Sequence, residues 1–176
     1  MIRYVAFLRG INVSGKNIIK MEDLRNQFES LGFKNTITYI QSGNVLFETE
    51  ETNEGELRDT IEAHLELNLG YRVPTIIRMF HDIRKVVKNM PYDNIKEEDK
   101  SRLYVTFLSE APSYDVKGAL GVYSNDAEYA RVVKREVYVY TGNYGKTCFS
   151  NSFIEKKLKV SATTRNWATL NKILEL

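Results

Sequence analysis

The chain has 176 residues, enough for one large domain or for two small halves that each have a core. Its residues are 43% hydrophobic and 27% charged, a composition that excludes an intrinsically disordered chain. The formal net charge is only +2, so the protein has no overall field that would attract a polyanion. Any phosphate or nucleic-acid role therefore requires a local patch.

The single cysteine, Cys148, rules out an internal disulfide and favours a reducing compartment. The N-terminal apolar run is too short for a signal peptide, and no segment has the roughly 18 apolar residues of a membrane span. We therefore expect a cytoplasmic protein without membrane contact.

In the first part of the chain, the hydrophobic pattern predicts strands and helices in the order strand, helix, strand, strand, helix, strand. Asn53 and Glu56 form a capping-box pattern at the start of the second helix, and Gly70 is expected to end it. This order is typical of a ferredoxin-like fold with one antiparallel sheet. The predicted strands are residues 4–8, 36–41, 45–49 and 73–80; the first helix starts near Met21 and ends at Gly32.

Residues 93–101 are almost entirely polar and charged, which predicts a connector between two halves. The predicted domains are residues 1–92 and 102–176. The pattern Tyr-Val-x-Phe-Leu occurs at residues 4–8 and again, 100 residues later, at 104–108. This recurrence predicts an internal duplication.

The second half repeats the first imperfectly. We predict a short helix at 112–120, strands at 128–134 and 137–141, and a helix at 153–158 that a box of Ser152 and Glu155 would cap. No closing strand is apparent, and Thr163 or Thr164 is expected to cap a last helix directly. The predicted fold class is therefore α+β, with two ferredoxin-like halves and antiparallel sheets, the second half being modified at its C-terminal end.

Residues 10–17 (Gly-Ile-Asn-Val-Ser-Gly-Lys-Asn) match a phosphate-binding P-loop except at the last position, where Asn17 replaces Ser or Thr. That hydroxyl would coordinate magnesium, and a P-loop helix would begin at Lys16 instead of near Met21. The pattern therefore disfavours a nucleoside triphosphatase. A tight turn is the somewhat favoured interpretation, because most glycine-rich loops only turn the chain; the alternative is a glycine-rich loop that holds an anion through Arg9, Lys16 and backbone N–H groups.

Two further stretches can each be interpreted as part of a binding site or as a purely structural turn or cap. Residues 42–44 (Ser-Gly-Asn) lie between two predicted strands, where glycine is expected for the turn alone. Residues 163–167 place threonines, Arg165 and Asn166 at a predicted helix start, which would attract an anion; simple helix capping is the alternative.

Tyr144 and Lys146 lie in a glycine-containing loop after a strand that bears Tyr138 and Tyr140, a mixture also found in single-strand binders. Aromatic residues on a strand more often pack in a core, and near-neutral charge makes nucleic acid an unfavoured partner. The two histidines, His64 and His81, and one cysteine form no zinc-ligand pattern, so no metal site is expected.

Three stretches together resemble a bacterial family called domain of unknown function 1697. They are residues 8–17 (Leu-Arg-Gly-Ile-Asn followed by Gly-Lys-Asn), residues 39–47 (Tyr-Ile-Gln-Ser-Gly-Asn-Val with Phe47) and residues 163–167 (Thr-Thr-Arg-Asn-Trp). The resemblance implies a compact α+β protein of the bacterial cytosol with two related halves, and it implies no reaction, because the family is unassigned.

The sequence leaves three functional hypotheses. The first is binding of a small phosphorylated or carboxylated ligand, by an enzyme or by a binding protein, with cofactor and oligomeric state unspecified. The second is single-stranded nucleic-acid binding, and the third is a structural or partner-binding role in which the three stretches serve only turns and caps. The candidate ligand-binding residues of the first hypothesis are Arg9, Asn12, Lys16, Asn17, Ser42, Asn44, Thr164, Arg165 and Asn166.

Overall fold

The computed structural model describes all residues, Met1–Leu176, which divide into two compact units, Met1–Ile83 and Arg84–Leu176. The domain limits expected from the sequence, 1–92 and 102–176 with a connector at 93–101, stay a prediction. Most of the charged connector forms a 3₁₀ helix, Glu97–Arg102, within the second unit.

The first unit contains four strands and two complete helices, and a third helix begins at its end. The predicted cap of the second helix is confirmed, because the Asn53 side chain accepts hydrogen bonds from the N–H groups of Gly55 and Glu56. Gly70 ends that helix in the left-handed conformation. The elements are β1 (Ile2–Leu8), α1 (Met21–Ser30), β2 (Lys34–Tyr39), β3 (Asn44–Thr49), α2 (Glu54–Leu69), β4 (Thr75–Met79) and α3 (Phe80–Lys88).

The second unit has four more strands and two α-helices, with a 3₁₀ helix where the first unit has α1. The elements after Glu97–Arg102 are β5 (Leu103–Leu108), a 3₁₀ helix (Tyr114–Tyr123), β6 (Glu128–Val133), β7 (Glu136–Thr141), a 3₁₀ turn (Tyr144–Lys146), α4 (Asn151–Leu158), β8 (Ala162–Asn166) and α5 (Trp167–Glu175). The 3₁₀ helix at Tyr114–Tyr123 occupies the place of the helix predicted at 112–120.

Each unit has one four-stranded antiparallel sheet, with strand orders β2-β3-β1-β4 and β6-β7-β5-β8. The predicted α+β class with two ferredoxin-like halves is confirmed. The register is equivalent in the two sheets: Val5 lies opposite Arg78 and Val105 lies opposite Arg165. Residues 4–8 of β1 are buried, as their apolar sequence predicts, and β5 is buried except at Tyr104.

In the first unit, alternate residues of β1 pack with the buried faces of α1 and α2. Tyr4, Ala6 and Leu8 belong to one cluster with Phe28 of α1 and Ile61 of α2. This packing holds the C-terminal end of β1 rigidly in place. The loop that follows β1 therefore starts from a fixed point.

The C-terminal segment differs from the prediction, which contained no closing strand. Residues Ala162–Asn166 form β8 and pair with β5, and α5 begins only at Trp167. The N-cap of α5 is Asn166, whose side chain accepts from the Thr169 N–H at 2.8 Å, not Thr163 or Thr164. The two threonines are β-branched and fit a strand, so pairing with β5 prevails over capping.

The cap of α4 was also predicted wrongly. The helix begins at Asn151, and its cap is Ser150, whose Oγ accepts from the Phe153 N–H at 3.3 Å. Glu155, the proposed partner of Ser152 in a capping box, accepts instead from the N–H of Ala162 at 2.9 Å. Glu155 therefore ties α4 to the start of β8.

Candidate functional site

The glycine-rich stretch after β1 folds into a small hairpin. The Lys16 N–H donates to the Val13 carbonyl at 2.9 Å, and the Asn12 N–H donates to the Asn17 carbonyl at 3.0 Å. Ser14 and Gly15 both have positive φ angles, as a type I′ turn requires. The hairpin ends before Met21, where α1 begins, so no helix starts at Lys16 as it would in a P-loop.

Asparagine side chains hold this hairpin in shape. The Asn12 side chain accepts from the Ile19 N–H at 2.8 Å and donates to the Ile19 carbonyl at 3.1 Å and to the Gln41 carbonyl at 3.0 Å. The Asn17 side chain donates to the Gly10 carbonyl at 2.9 Å. Both predicted ligand-binding asparagines therefore have a structural role within the loop.

The second predicted stretch packs directly against the first. The Leu8 N–H donates to the Gly43 carbonyl at 2.8 Å. A Cβ atom on Gly43 would lie 2.7 Å from Cδ1 of Ile11, so only glycine fits here. The buried Asn44 side chain donates to the Tyr39 carbonyl at 2.9 Å and to Oγ of Ser42 at 3.1 Å. We call residues 9–20 and 40–44 the loop pair.

Backbone conformations in the loop pair are unusual. Within residues 10–17, five positions have positive φ, and three of them, Asn12, Ser14 and Asn17, are not glycine. Ile40, a β-branched residue, also has a φ of 50°. A non-glycine residue with positive φ lowers the stability of the folded state by on the order of 1 kcal/mol, and residues strained in this way are concentrated at functional sites.

The loop pair is cationic and contains no carboxylate. Its charged residues are Arg9, which is half-buried, and the exposed Lys16 and Lys20. The first acidic residue of the chain is Glu22, although the chain has 23 acidic residues in all. The N–H groups of Ser14 and Gly15, at the tip of the hairpin, donate to no acceptor in the chain. These groups together can attract and hold an anion.

The third predicted stretch lies in the second unit, in β8. The Thr164 hydroxyl lies 2.7 Å from the hydroxyl of Thr106 and donates to Oδ1 of Asn151 at 2.6 Å. The guanidinium of Arg165 donates to the hydroxyl of Thr163 at 3.0 Å and to the Thr164 carbonyl at 2.8 Å. Burial lowers the pKa of Arg165 to about 10. The polar groups of this stretch thus form a network with β5 and α4.

The aromatic residues near Tyr144 are packed, not displayed. Tyr138 and Tyr140 are buried, and the ring of Tyr144 stacks on that of Tyr104 with centroids 4.6 Å apart. The Tyr138 hydroxyl donates to the Val86 carbonyl at 2.9 Å. These rings therefore pack within the protein instead of lying free to stack on bases. Of the residues proposed for nucleic-acid binding, Lys146 is exposed.

Cys148 is not set up as a nucleophile. Burial, together with Glu128, raises the pKa of its thiol to about 11, so the thiol is neutral at physiological pH. Glu128 also accepts from the hydroxyls of Thr147 at 2.6 Å and Thr141 at 3.2 Å, contacts that lower the pKa of its carboxyl. This cluster fastens the loop after β7 to the start of β6.

No three His, Cys, Asp or Glu side chains lie together in a group that could hold a metal ion. His64 lies 3.0 Å from the hydroxyl of Ser30, and His81 lies 3.1 Å from the carboxylate of Asp82. None of the five α-helices has the length and apolar character to span a membrane.

One cavity of about 510 Å³ lies in the second unit, in a region for which the sequence predicted no site. It is lined in part by Tyr92, Tyr129 and Arg131. The one available sequence signal was the spacing of Tyr129 and Arg131, which puts both side chains on the same face of a strand. That signal is weak, because Tyr92 is remote in sequence.

Comparison with known proteins identifies a family and a fold. The profile of the family described as "Protein of unknown function (DUF1697)" matches residues 1–138. No curated protein matches the chain. The structure of the conserved bacterial protein SP0830 from Streptococcus pneumoniae is similar over 99% of this chain and 97% of that chain, with 24% identity and a TM-score of 0.75. At that identity, the likeness shows the fold alone. The family match covers more than half of the sequence, and the chain therefore belongs to the DUF1697 family.

Proposed function

We propose that this protein binds a small phosphorylated or carboxylated ligand at the loop pair. The observation that carries the proposal is the combination of Lys16, Arg9 and Lys20 with the absence of any carboxylate from the loop pair. Within the loop pair, the charged side chains are all positive, and the N–H groups at the hairpin tip add hydrogen-bond donors for an anion.

The residues of the loop pair have different roles in this proposal. Lys16 supplies an exposed ammonium group, while Arg9 adds positive charge at the end of β1. The N–H groups of Ser14 and Gly15 supply directional donors at the hairpin tip. Asn12, Asn17 and Asn44 hold the backbone in the shape that presents these donors. Ser42, whose Oγ accepts from the Asn44 side chain, adds a hydroxyl to the loop pair.

The proposal concerns binding, because the loop pair lacks the groups of acid–base catalysis. Residues 9–20 and 40–44 contain no histidine, cysteine, aspartate or glutamate. Their charged side chains are two lysines and one arginine, which are suited to holding an anion. A reaction would require groups from the ligand or from elsewhere in the chain.

A thermal-shift titration tests the proposal. Inorganic phosphate and glucose 6-phosphate should raise the melting temperature, whereas glucose should not; a ligand at 100 times its Kd stabilises by about 2.7 kcal/mol. Lys16→Ala should weaken binding roughly tenfold, because a charged hydrogen bond is lost. Lys34→Ala, at the far end of β2, is the matched control and should bind normally.

If neither phosphate compound stabilises the protein, or if Lys16→Ala binds as well as the unsubstituted protein, the loop pair holds no anion. The third hypothesis, in which these stretches serve only turns and caps, then becomes the better account.

The contribution of Thr164, Arg165 and Asn166 to the same ligand stays a prediction. Asn166→Asp tests it well, because aspartate can still cap α5 but adds a negative charge. If these residues contact the anion, the variant should bind phosphate more weakly while melting at nearly the same temperature. Unchanged affinity would restrict the ligand site to the loop pair.

A further inference from the structure

A second candidate site lies in the second unit, beside the edge strand β6. The cavity of about 510 Å³ lies between β6, residues 91–95 and the end of the 3₁₀ helix Tyr114–Tyr123. Its volume is within the roughly 300–1,000 Å³ of small-molecule sites. We call it the β6 cavity. It shares no residue with the loop pair, so it requires its own explanation.

Arg131 supplies a fixed positive charge to the β6 cavity. Its guanidinium donates to the Pro91 carbonyl at 2.8 Å and lies over the Tyr92 ring, 5.5 Å from the centroid. These two contacts orient the side chain but do not neutralise it. Arginine has five N–H donors, and the remaining ones can form a bidentate pair with a carboxylate or phosphate.

The tyrosines give the β6 cavity a rigid aromatic wall. The Tyr92 hydroxyl donates to the Tyr138 carbonyl at 2.7 Å, which fixes the ring. Tyr92 meets Tyr129 edge to face with centroids 4.9 Å apart, and Tyr129 stacks on Tyr140 at the same separation. A wall of this kind packs favourably against the ring of a ligand.

The polar groups of the lining restrict the ligand further. Asp93 lines the same cavity as Arg131 and makes no ion pair with it. A carboxylate in this position accepts hydrogen bonds from hydroxyl or amino groups. A purely anionic ligand would be repelled by Asp93, whereas a ligand with donors at one end and an anion at the other would satisfy both side chains.

From this arrangement we propose that the β6 cavity binds a small molecule that combines an aromatic ring, one anionic group and hydrogen-bond donors. Arg131 pairs with the anionic group, Tyr92 and Tyr129 pack against the ring, and Asp93 accepts from the donors. Nucleoside monophosphates and amino-substituted aromatic carboxylates both have this chemistry. The proposal is independent of the anion site at the loop pair.

Calorimetric titration of the full chain with adenosine 5′-monophosphate and with 2-aminobenzoate tests this site and separates the two ligand sources. At least one of the two should bind, and adenosine or inorganic phosphate alone should bind the β6 cavity more weakly. Arg131→Ala should weaken binding of the preferred probe roughly tenfold or more. Lys156→Ala, which removes an exposed cation on α4 away from the cavity, should have no effect.

Two outcomes would overturn the proposal: neither probe binds, or Arg131→Ala binds the preferred probe as tightly as the unsubstituted protein does. Lys16→Ala distinguishes the two sites. If Lys16→Ala abolishes binding of the nucleotide and Arg131→Ala does not, the nucleotide occupies the loop pair. Circular dichroism of each variant confirms that the fold is retained.

Discussion

Ile40 combines a branched side chain with a left-handed backbone. Its φ is 50°, in a region that costs most L-residues about 1–2 kcal/mol, and its side chain is 43% exposed. Ile40→Gly should therefore raise the free energy of unfolding by about 1 kcal/mol, because relief of strain exceeds the added chain entropy of glycine. Urea denaturation measures the change.

Ile18→Gly is the matched control for that prediction. Ile18 is 73% exposed and has no positive φ, so glycine there should lower the free energy of unfolding by roughly 0.5–1 kcal/mol. If both variants lose stability equally, Ile40 is not strained, and the backbone argument for the loop pair is weakened.

The chemistry of Cys148 yields a second residue-level prediction. Burial and Glu128 raise the pKa of the thiol to about 11. At pH 8 only about one thiol in a thousand is then ionised, so iodoacetamide should alkylate Cys148 slowly. The rate should rise about tenfold for each pH unit up to pH 10. A rate that levels off below pH 9 would contradict the assigned environment.

Residue patterns predicted one asparagine cap and missed another. Asn53 was predictable because the sequence spacing of Asn53 and Glu56 resembles a capping box and an apolar helical pattern follows, although in the structure Glu51 accepts from the Asn53 N–H at 2.7 Å. Asn166 was not, because Thr163 and Thr164 are equally suitable caps by sequence. What distinguishes them is pairing of Thr163 and Thr164 with β5, a long-range interaction that local sequence does not encode.

At the scale of elements, Gly43 tests the junction of the two loops. Gly43 and Gly10 have nearly the same φ, 79° and 76°, so alanine at either position is similarly strained. Only at Gly43 would the new methyl group meet side chains, 2.7 Å from Ile11 Cδ1 and 2.9 Å from Leu8 Cβ. Gly43→Ala should therefore lose about 1–3 kcal/mol more than Gly10→Ala in urea denaturation.

Equal losses would mean that the loops do not pack as tightly as the geometry indicates. A further consequence is measurable in the same proteins: Gly43→Ala displaces the hairpin and should weaken phosphate binding, if the loop pair is the anion site.

The strand β8 shows why some elements were predictable and this one was not. Residues 4–8 of β1 are a continuous apolar run and β5 is apolar except for Thr106, which is typical of strands buried on both faces. The sequence of β8, Ala-Thr-Thr-Arg-Asn, has no such run. Its strand character depends on hydrogen bonds to β5 and on a buried arginine, and neither produces a hydrophobic pattern.

At the scale of the whole molecule, the two sheets support the proposal of an internal duplication. Equivalent positions share strand order, register and even single hydrogen bonds: Leu8 donates to Gly43 as Leu108 donates to Arg135. The sequence offset is 100 between Val5 and Val105 but 87 between Arg78 and Arg165, which occupy equivalent positions. Because the loops differ in length, a fixed-offset comparison detects only the first strand.

The first sequence hypothesis placed all three stretches at one ligand. The structure brings the first two into contact through Asn12 and Gly43, and the part of the third stays a prediction. The sequence did not show which polar side chains form hydrogen bonds within the fold, because those hydrogen bonds depend on tertiary contacts. The asparagines hold the loop shape, which leaves Lys16 and the tip N–H groups as the ligand contacts in the proposed site. The sequence also did not predict the β6 cavity, because only tertiary packing brings residues 91–95 next to β6.

The central claim is that an anion binds at the hairpin tip, and a phosphate titration of ¹⁵N-labelled protein followed by two-dimensional NMR tests it most directly. We expect the amide signals of Ser14, Gly15 and Lys16 to shift together and to saturate, and Lys16→Ala to abolish the saturation. If these signals do not move, or if the shifts are confined to residues outside the loop pair, the claim is wrong.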